Sequence, residues 1–241
     1  MRVKTDVLGV LYDNVTMQEA LERGRALLEA DAPAYCVTPN AEMAYEALHD
    51  EAFRAVLNGA ALVLPDGAGV VLGAKILKTP LKQKVAGIEF AQNLLPILEE
   101  TGKRLFLLGS KPGVAELAAE KMLQKHPKLC VCGTMDGYFK DDGEAVARIN
   151  EARADVVFVC LGAPKQEYFM QKHASELNVH LMIGLGGTLD GIAGTVKRAP
   201  RWMIRLQLEW LYRLIKQPSR LGRMMRLPKF VFAAIKKRMK G

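Results

Sequence analysis

No run of 18 or more apolar residues occurs in the 241-residue chain, so no membrane-spanning helix is encoded. The opening residues, Met1-Arg2-Val3-Lys4-Thr5-Asp6, lack the apolar core of a signal peptide, and export is not expected. Cysteine is scarce. Cys36, Cys130, Cys132 and Cys160 all fall in apolar, strand-like stretches, and none forms a Cys-x-x-Cys pair. Cys130 and Cys132 are two apart and would share one face of a strand. This usage reads as buried reduced thiols rather than a disulfide framework or a zinc site. The four histidines, His49, His126, His173 and His180, are scattered, and no His-Glu-x-x-His pattern occurs.

Several catalytic signatures are also missing. Without Asp-x-Asp, the commonest carboxylate pair for a metal-bound nucleotide diphosphate is absent. No Gly-x-x-x-x-Gly-Lys-[Ser/Thr] loop occurs, and no Gly-x-Gly-x-x-Gly stands at the first strand. There is no Gly-x-Ser-x-Gly nucleophile elbow. A transfer reaction run without metal would need Lys, Arg or backbone amides to neutralise a leaving diphosphate.

What is present is an ordinary globular composition, half apolar and one quarter charged, with an uneven charge. Residues 197–241 hold 14 Lys and Arg against the single acid Glu209, a net +13, while the preceding residues carry −5. A mildly acidic body with a basic tail points to a polyanionic partner, either nucleic acid or an anionic membrane surface.

The body alternates strand and helix patterns. Strands are expected near 6–11, 35–38, 61–64, 104–108, 129–132, 156–161 and 180–183. Helices are expected between them, the first opened by the capping box Thr16-Met17-Gln18-Glu19. Continuous apolar strands alternating with helices predict a doubly wound, Rossmann-like α/β fold with a mostly parallel sheet covered on both faces. Residues 1–196 would form this domain, and residues 197–241 a basic amphipathic helical appendage. In the appendage Ile204, Leu208, Leu211 and Ile215 follow one helical face, and Pro228 opens a last helix. Phe230 and Phe232 are read as a shallow insertion surface, and deletion of the appendage is expected to leave a folded body. Trp202 and Trp210 stay open between core and interfacial anchor.

Ligands bind outside the carboxyl ends of strands in such sheets. Five polar loops follow predicted strands: Thr38-Pro39-Asn40, Pro65-Asp66-Gly67, Gly109-Ser110-Lys111, Gly162-Ala163-Pro164-Lys165-Gln166-Glu167, and Gly184-Leu185-Gly186-Gly187-Thr188-Leu189-Asp190. Glycines such as Gly109 and Gly187 let the backbone approach a ligand, and amides at helix starts favour phosphate. Asp66, between a buried strand and a glycine-rich turn, is either a general base or a helix N-cap. Thr38 and Asn40 either bind a polar substrate or cap. Asp190 binds a sugar hydroxyl or caps a turn, and Gln166 binds substrate or sits solvated in a first helical turn.

The ordered segments Thr38-Pro39-Asn40-Ala41-Glu42, Pro65-Asp66-Gly67-Ala68-Gly69, Val85-Ala86-Gly87, Gly162 to Glu167, Val196-Lys197-Arg198-Ala199-Pro200 and Glu209-Trp210-Leu211-Tyr212-Arg213-Leu214 resemble the WecG/TagA/CpsF glycosyltransferase family. The likeness spans about residues 6–225 and is nearest the TagA branch. It implies an inverting, metal-independent transferase without cofactor, moving N-acetylmannosamine from a UDP-sugar donor. The acceptor it implies is undecaprenyl-diphosphate-linked N-acetylglucosamine on the inner face of a bacterial plasma membrane. It implies that Asp66 is the base and that Thr38 and Asn40 line the pocket. The position before Val85 is commonly arginine in the family; here Lys84 keeps the charge and loses the bidentate fork. Arg213, Arg220 and Arg223 are the tail candidates for the substrate diphosphates. Other UDP-sugars remain alternatives for the donor, and a homo-oligomer stays compatible with the sequence. The rival classes are a nucleic-acid-binding module, which leaves the strand-end loops unexplained, and an oxidoreductase, which lacks its fingerprint.

Overall fold

The computed structural model describes residues 3–196, 199–200, 202–203, 209–216, 222 and 225–240. Arg220 and Arg223 lie outside the described residues, as does the side chain of Arg213.

The chain opens with an antiparallel hairpin, β1 (Lys4–Val7) and β2 (Val10–Asp13), where a single strand over 6–11 was expected. The turn is the reason. Leu8 and Gly9 both take positive φ, 57° and 94°, and the Gly9 amide donates to Asp6 Oδ1 at 2.7 Å. That two-residue geometry matches the twist of paired strands. The buried Asp13 carboxylate then fastens the hairpin to the body. It accepts from the Val63 amide at 2.9 Å and pairs with Lys4 at 3.1 Å and Arg23 at 2.5 Å.

Six parallel strands form the main sheet: β3 (Ala34–Val37), β4 (Leu62–Val63), β5 (Arg104–Gly109), β6 (Cys130–Met135), β7 (Val156–Cys160) and β8 (Leu181–Gly184). Their spatial order is β4-β3-β8-β7-β5-β6. Successive residues alternate between two cores. On one face Val37, Leu108, Val159 and Met182 meet α2 (Ala41–His49), α3 (Glu51–Asn58), α4 (Ala68–Ile76), α7 (Asp142–Glu151) and α8 (Lys165–His173). On the other, Cys36, Leu107, Phe158 and Ile183 meet α1 (Met17–Leu28), α5 (Gly87–Thr101), α6 (Val114–Lys125) and α9 (Thr188–Ala193). The sheet is covered on both sides, and each fully buried large apolar side chain contributes about 1.5–3 kcal/mol. This is the expected Rossmann-like α/β fold. The helix after β3 and the helix after β8 leave to opposite faces, which opens a crevice between these neighbouring strand ends.

Two further helices belong to the basic segment, α10 (Glu209–Lys216) and α11 (Arg226–Lys240). Among the described residues no helix is long and apolar enough to cross a membrane. Helix α11 packs across α2 and α4. Phe230 and Ala234 are fully buried in the first core, so Phe230 belongs to the body and not to an exposed insertion surface. Gly73 is what permits this approach, because a Cβ there would stand 2.6 Å from the Phe230 ring. Arg226 adds an ion pair to Glu46 at 2.7 Å. A deletion from residue 197 would therefore open the core, since losing a buried Phe costs about 3–5 kcal/mol.

Candidate active site

The five polar loops follow β3, β4, β5, β7 and β8, and thus share the carboxyl edge of the sheet. They gather into two adjoining groups.

The first group is built on β3 and β4. Thr38, buried, donates from Oγ1 to the Gly184 carbonyl at 2.9 Å, tying two strand ends across 146 residues of sequence. The same side chain packs on Gly87 at the start of α5, where a Cβ would stand 3.1 Å away. Asn40 caps α2: its Oδ1 accepts from the Glu42 and Met43 amides at 2.9 and 3.1 Å. Its Nδ2 makes no hydrogen bond among the described residues. Capping and substrate contact are thus compatible, using different atoms of one amide. Asp66 is half-buried at the end of β4. The N-cap of α4 is Gly67, with φ 89°, so Asp66 stands one residue before the cap position. Asn40 flanks this turn, its Cβ 3.9 Å from where a Gly67 Cβ would stand. The Val85 amide donates to the Pro65 carbonyl at 2.9 Å, which brings the neighbouring Lys84 alongside the Asp66 loop. Lys84 is half-buried and forms no ion pair among the described residues.

Beneath this group lies Tyr12, a residue the sequence reading did not single out. Its ring is fully buried, and its hydroxyl finds no hydrogen-bond partner among the described residues. Burial pushes its ionisation up, and the negative charge of Asp66 pushes it further, so the two groups are within electrostatic reach.

The second group is built on β5, β7 and β8. Gly109 has φ 122° and lies against Cys160, where any Cβ would stand 2.3 Å from the carbonyl oxygen. Only glycine fits that close approach. Ser110 follows with φ 64°, and its hydroxyl makes a short hydrogen bond to Asp190 Oδ2. Asp190 also accepts from Thr195 through its backbone carbonyl at 3.1 Å. Gly187 is exposed on the outer side of the last turn, with nothing where its Cβ would project.

Gln166 joins the two groups. It is buried, not the solvated first-turn residue that was the alternative. Its Oε1 accepts from the Gly186 amide at 2.9 Å, and its Nε2 donates to Glu167 Oε1 at 2.7 Å. Both ends of the amide are engaged with the protein. Glu167 is a second residue the sequence reading missed. It is fully buried, and its Oε2 has no hydrogen-bond partner among the described residues. Burial raises its pKa from 4.5 to about 7, partly offset by Gln166, with the charge of Glu46 adding to the rise. The only sequence signal was an acid in the first turn of a helix, which a favourable dipole alone explains.

A stability prediction follows from this acid. With a folded-state pKa above the unfolded value, the folded chain holds the proton more tightly. The stabilisation is complete below about pH 4.5 and is lost as pH rises to about 7, on the order of 3 kcal/mol in all. Glu167→Gln should flatten this limb. Urea unfolding at pH 5 and pH 8 checks it, through a smaller difference between the two pH values in the variant.

Among the described residues no three His, Cys, Asp or Glu side chains gather as a metal-ligand set. The model of the glycosyl transferase WecG/TagA/CpsF family matches residues 5–241. The chain belongs to that family. As a family member it is an enzyme, a hexosyltransferase. It is similar to proteins named N-acetylglucosaminyldiphosphoundecaprenol N-acetyl-beta-D-mannosaminyltransferase. That of Bacillus spizizenii is 38% identical over 209 residues, covering 87% of this chain and 81% of the relative. That of Bacillus subtilis strain 168 is 39% identical over 199 residues, covering 83% and 78%. That of Staphylococcus aureus strain MW2 is 32% identical over 239 residues, covering 98% and 94%. In this transferase the strand-end cluster around Asp66 is the candidate catalytic centre.

Proposed function

We propose that the protein transfers N-acetylmannosamine from UDP-N-acetylmannosamine to the 4-hydroxyl of undecaprenyl-diphosphate-linked N-acetylglucosamine, forming a β-1,4 bond with inversion. The product fits an early step of wall teichoic acid linkage-unit or related surface polysaccharide synthesis. The observation that carries the reading is the Asp66 carboxylate, half-buried at the carboxyl edge of the sheet beside Asn40 and the Lys84 loop, in a chain whose relatives are named N-acetylglucosaminyldiphosphoundecaprenol N-acetyl-beta-D-mannosaminyltransferase. Asp66 takes the proton from the acceptor hydroxyl as that oxygen attacks C1 of the donor sugar. The bond from C1 to the diphosphate oxygen breaks, and UDP leaves with the electron pair. Lys84 beside the Asp66 loop supplies a cation for the developing charge. Arg213, Arg220 and Arg223 are the tail cations proposed for the same role. Asn40 Nδ2 is available for a hydrogen bond to substrate, Thr38 holds the pocket wall, and the 109–110 and 184–190 turns offer backbone to the nucleotide.

The acceptor hangs from a lipid, so the enzyme must work at a membrane surface. Residues 197–241 are proposed as the element that docks there, on the inner leaflet. Helix α11 supports this with two apolar stripes. One, with Phe230 and Ala234, is buried in the body; the other, Phe232, Ile235 and Met239, is exposed. An open groove of about 860 Å³ between α2 and α11 is lined by Leu8, Tyr45, Leu48 and Phe232, with Lys229 and Lys236 on its rim.

The test is a panel of UDP-sugars offered to a lipid-diphosphate-GlcNAc analogue in excess EDTA, scoring disaccharide product. The expected result is product with UDP-N-acetylmannosamine, at a rate that EDTA leaves unchanged. Preference for another UDP-sugar would reassign the donor. Loss of activity in EDTA, restored by Mg²⁺ or Mn²⁺, would overturn the metal-independent mechanism.

A further inference from the structure

Glu167 is a buried charged group that the transfer reaction does not use. Its Oε1 accepts from Gln166 Nε2, and Gln166 Oε1 accepts from the Gly186 amide. The amide of Gln166 has only one orientation that satisfies both contacts, because Gly186 N–H requires an acceptor and the carboxyl requires a donor. Gly184 makes room for this amide, since a Cβ there would stand 3.0 Å from Gln166 Nε2. The Gly184 carbonyl is in turn the acceptor for Thr38. Glu167 thus stands at the end of a relay that runs through Gln166 to Gly186, which has positive φ, and on to exposed Gly187.

We propose that Glu167 is a positioning residue for the transfer reaction: its buried carboxyl orients the Gln166 amide, which fixes the 184–187 turn where the donor diphosphate meets backbone. This rests on the donor reading above. The groups that face Glu167 are consistent with a role in orientation. From α2 comes Glu46, whose own charge is taken up by Arg226 of α11 at 2.7 Å. On its own helix, Lys165 turns away to the Gly137 carbonyl at 3.3 Å and the face of Phe139. No cation among the described residues pairs with the Glu167 carboxyl, so it does not serve as one half of an ion pair.

Two substitutions separate orientation from packing. Glu167→Gln keeps an acceptor for Gln166; Glu167→Met keeps the volume and removes it. The expected result is a donor KM within about threefold of wild type for Glu167→Gln. Glu167→Met should raise donor KM by about tenfold, the loss of one buried hydrogen bond, with a smaller change in kcat and none in acceptor KM. Amide hydrogen exchange without substrate gives an independent readout: Gly186 stays protected in wild type and Glu167→Gln, and exchanges faster in Glu167→Met. Should Glu167→Met not fold, the pair Gln166→Met and Gln166→Met/Glu167→Met decides the matter. A relay predicts that the second change adds nothing to donor KM. The proposal is overturned if Glu167→Met keeps wild-type KM and Gly186 protection, or if Glu167→Gln loses as much as Glu167→Met. It is also overturned if the double variant is markedly worse than Gln166→Met. Wild-type protein that fails to use UDP-N-acetylmannosamine would sink the donor reading instead, while Gly186 exchange would still decide the part Glu167 plays.

Discussion

Replacing Asp66 by Asn should lower turnover by roughly 10²–10⁴, the range for loss of a general base, with little change in stability. Asparagine matches the shape of aspartate and cannot accept the acceptor sugar's proton. Asp66 is half-buried and stands one residue before Gly67, the N-cap of α4, where the amide isostere keeps the size and polarity of the side chain. Substrate binding should be largely kept, so the loss should fall on kcat more than on either KM. Single-turnover measurement with saturating donor reads this directly. A near-wild-type rate in the folded variant would remove Asp66 from the mechanism.

Neutralising Lys229, Lys236 and Lys237 to Gln should weaken binding to vesicles rich in anionic lipid by roughly 100-fold. Each cation near such a surface contributes about 1 kcal/mol, and the three together about 3 kcal/mol. All three line the groove between α2 and α11 and are exposed. Lys237 also meets Asp6 at 3.3 Å, but that pair is half-exposed and worth little to stability. Phe230 is left in place, so the core that α11 completes remains intact. Sedimentation with vesicles at low salt measures the effect, and turnover of a water-soluble acceptor analogue should be far less affected than turnover of the lipid-linked one. Unchanged vesicle binding would move the docking surface off α11. This design replaces deletion of the whole basic segment, which would confound membrane binding with loss of the buried Phe230.

The site residues divide according to the kind of signal each carried. Asp66 and Thr38 were legible because a polar residue directly after an apolar strand lands at the carboxyl edge of a parallel sheet. Asn40 was legible as two alternatives, and both uses fit one side chain because its oxygen caps α2 while its nitrogen makes no hydrogen bond among the described residues. Gln166 was chosen for its hydrogen-bonding capacity, yet both ends of its amide are taken up inside the protein. Glu167 and Tyr12 were missed. An acid in a first helical turn and a tyrosine in a strand look ordinary, and only the surrounding elements make the first a buried, half-satisfied carboxyl and the second a neighbour of Asp66.

By itself the sequence determined the order of strands and helices between residues 16 and 184, the parallel two-sided sheet, the row of polar loops along its carboxyl edge and the charge split between body and tail. These follow from local periodicity, glycine and proline positions and composition, which act over a few residues. Tertiary structure decided the rest. Folding of residues 4–13 into a hairpin depends on Leu8 accepting positive φ beside Gly9, a choice paid for by burying Leu8 and anchoring Asp13 on β4. Which aromatic of α11 is buried depends on a glycine 157 positions earlier, Gly73 beneath Phe230. The relay from Glu167 to Gly186 exists only because β3, β7 and β8, distant in sequence, are neighbours in the sheet. Contacts of that kind are set by packing between elements, and no short-range pattern in the chain encodes them.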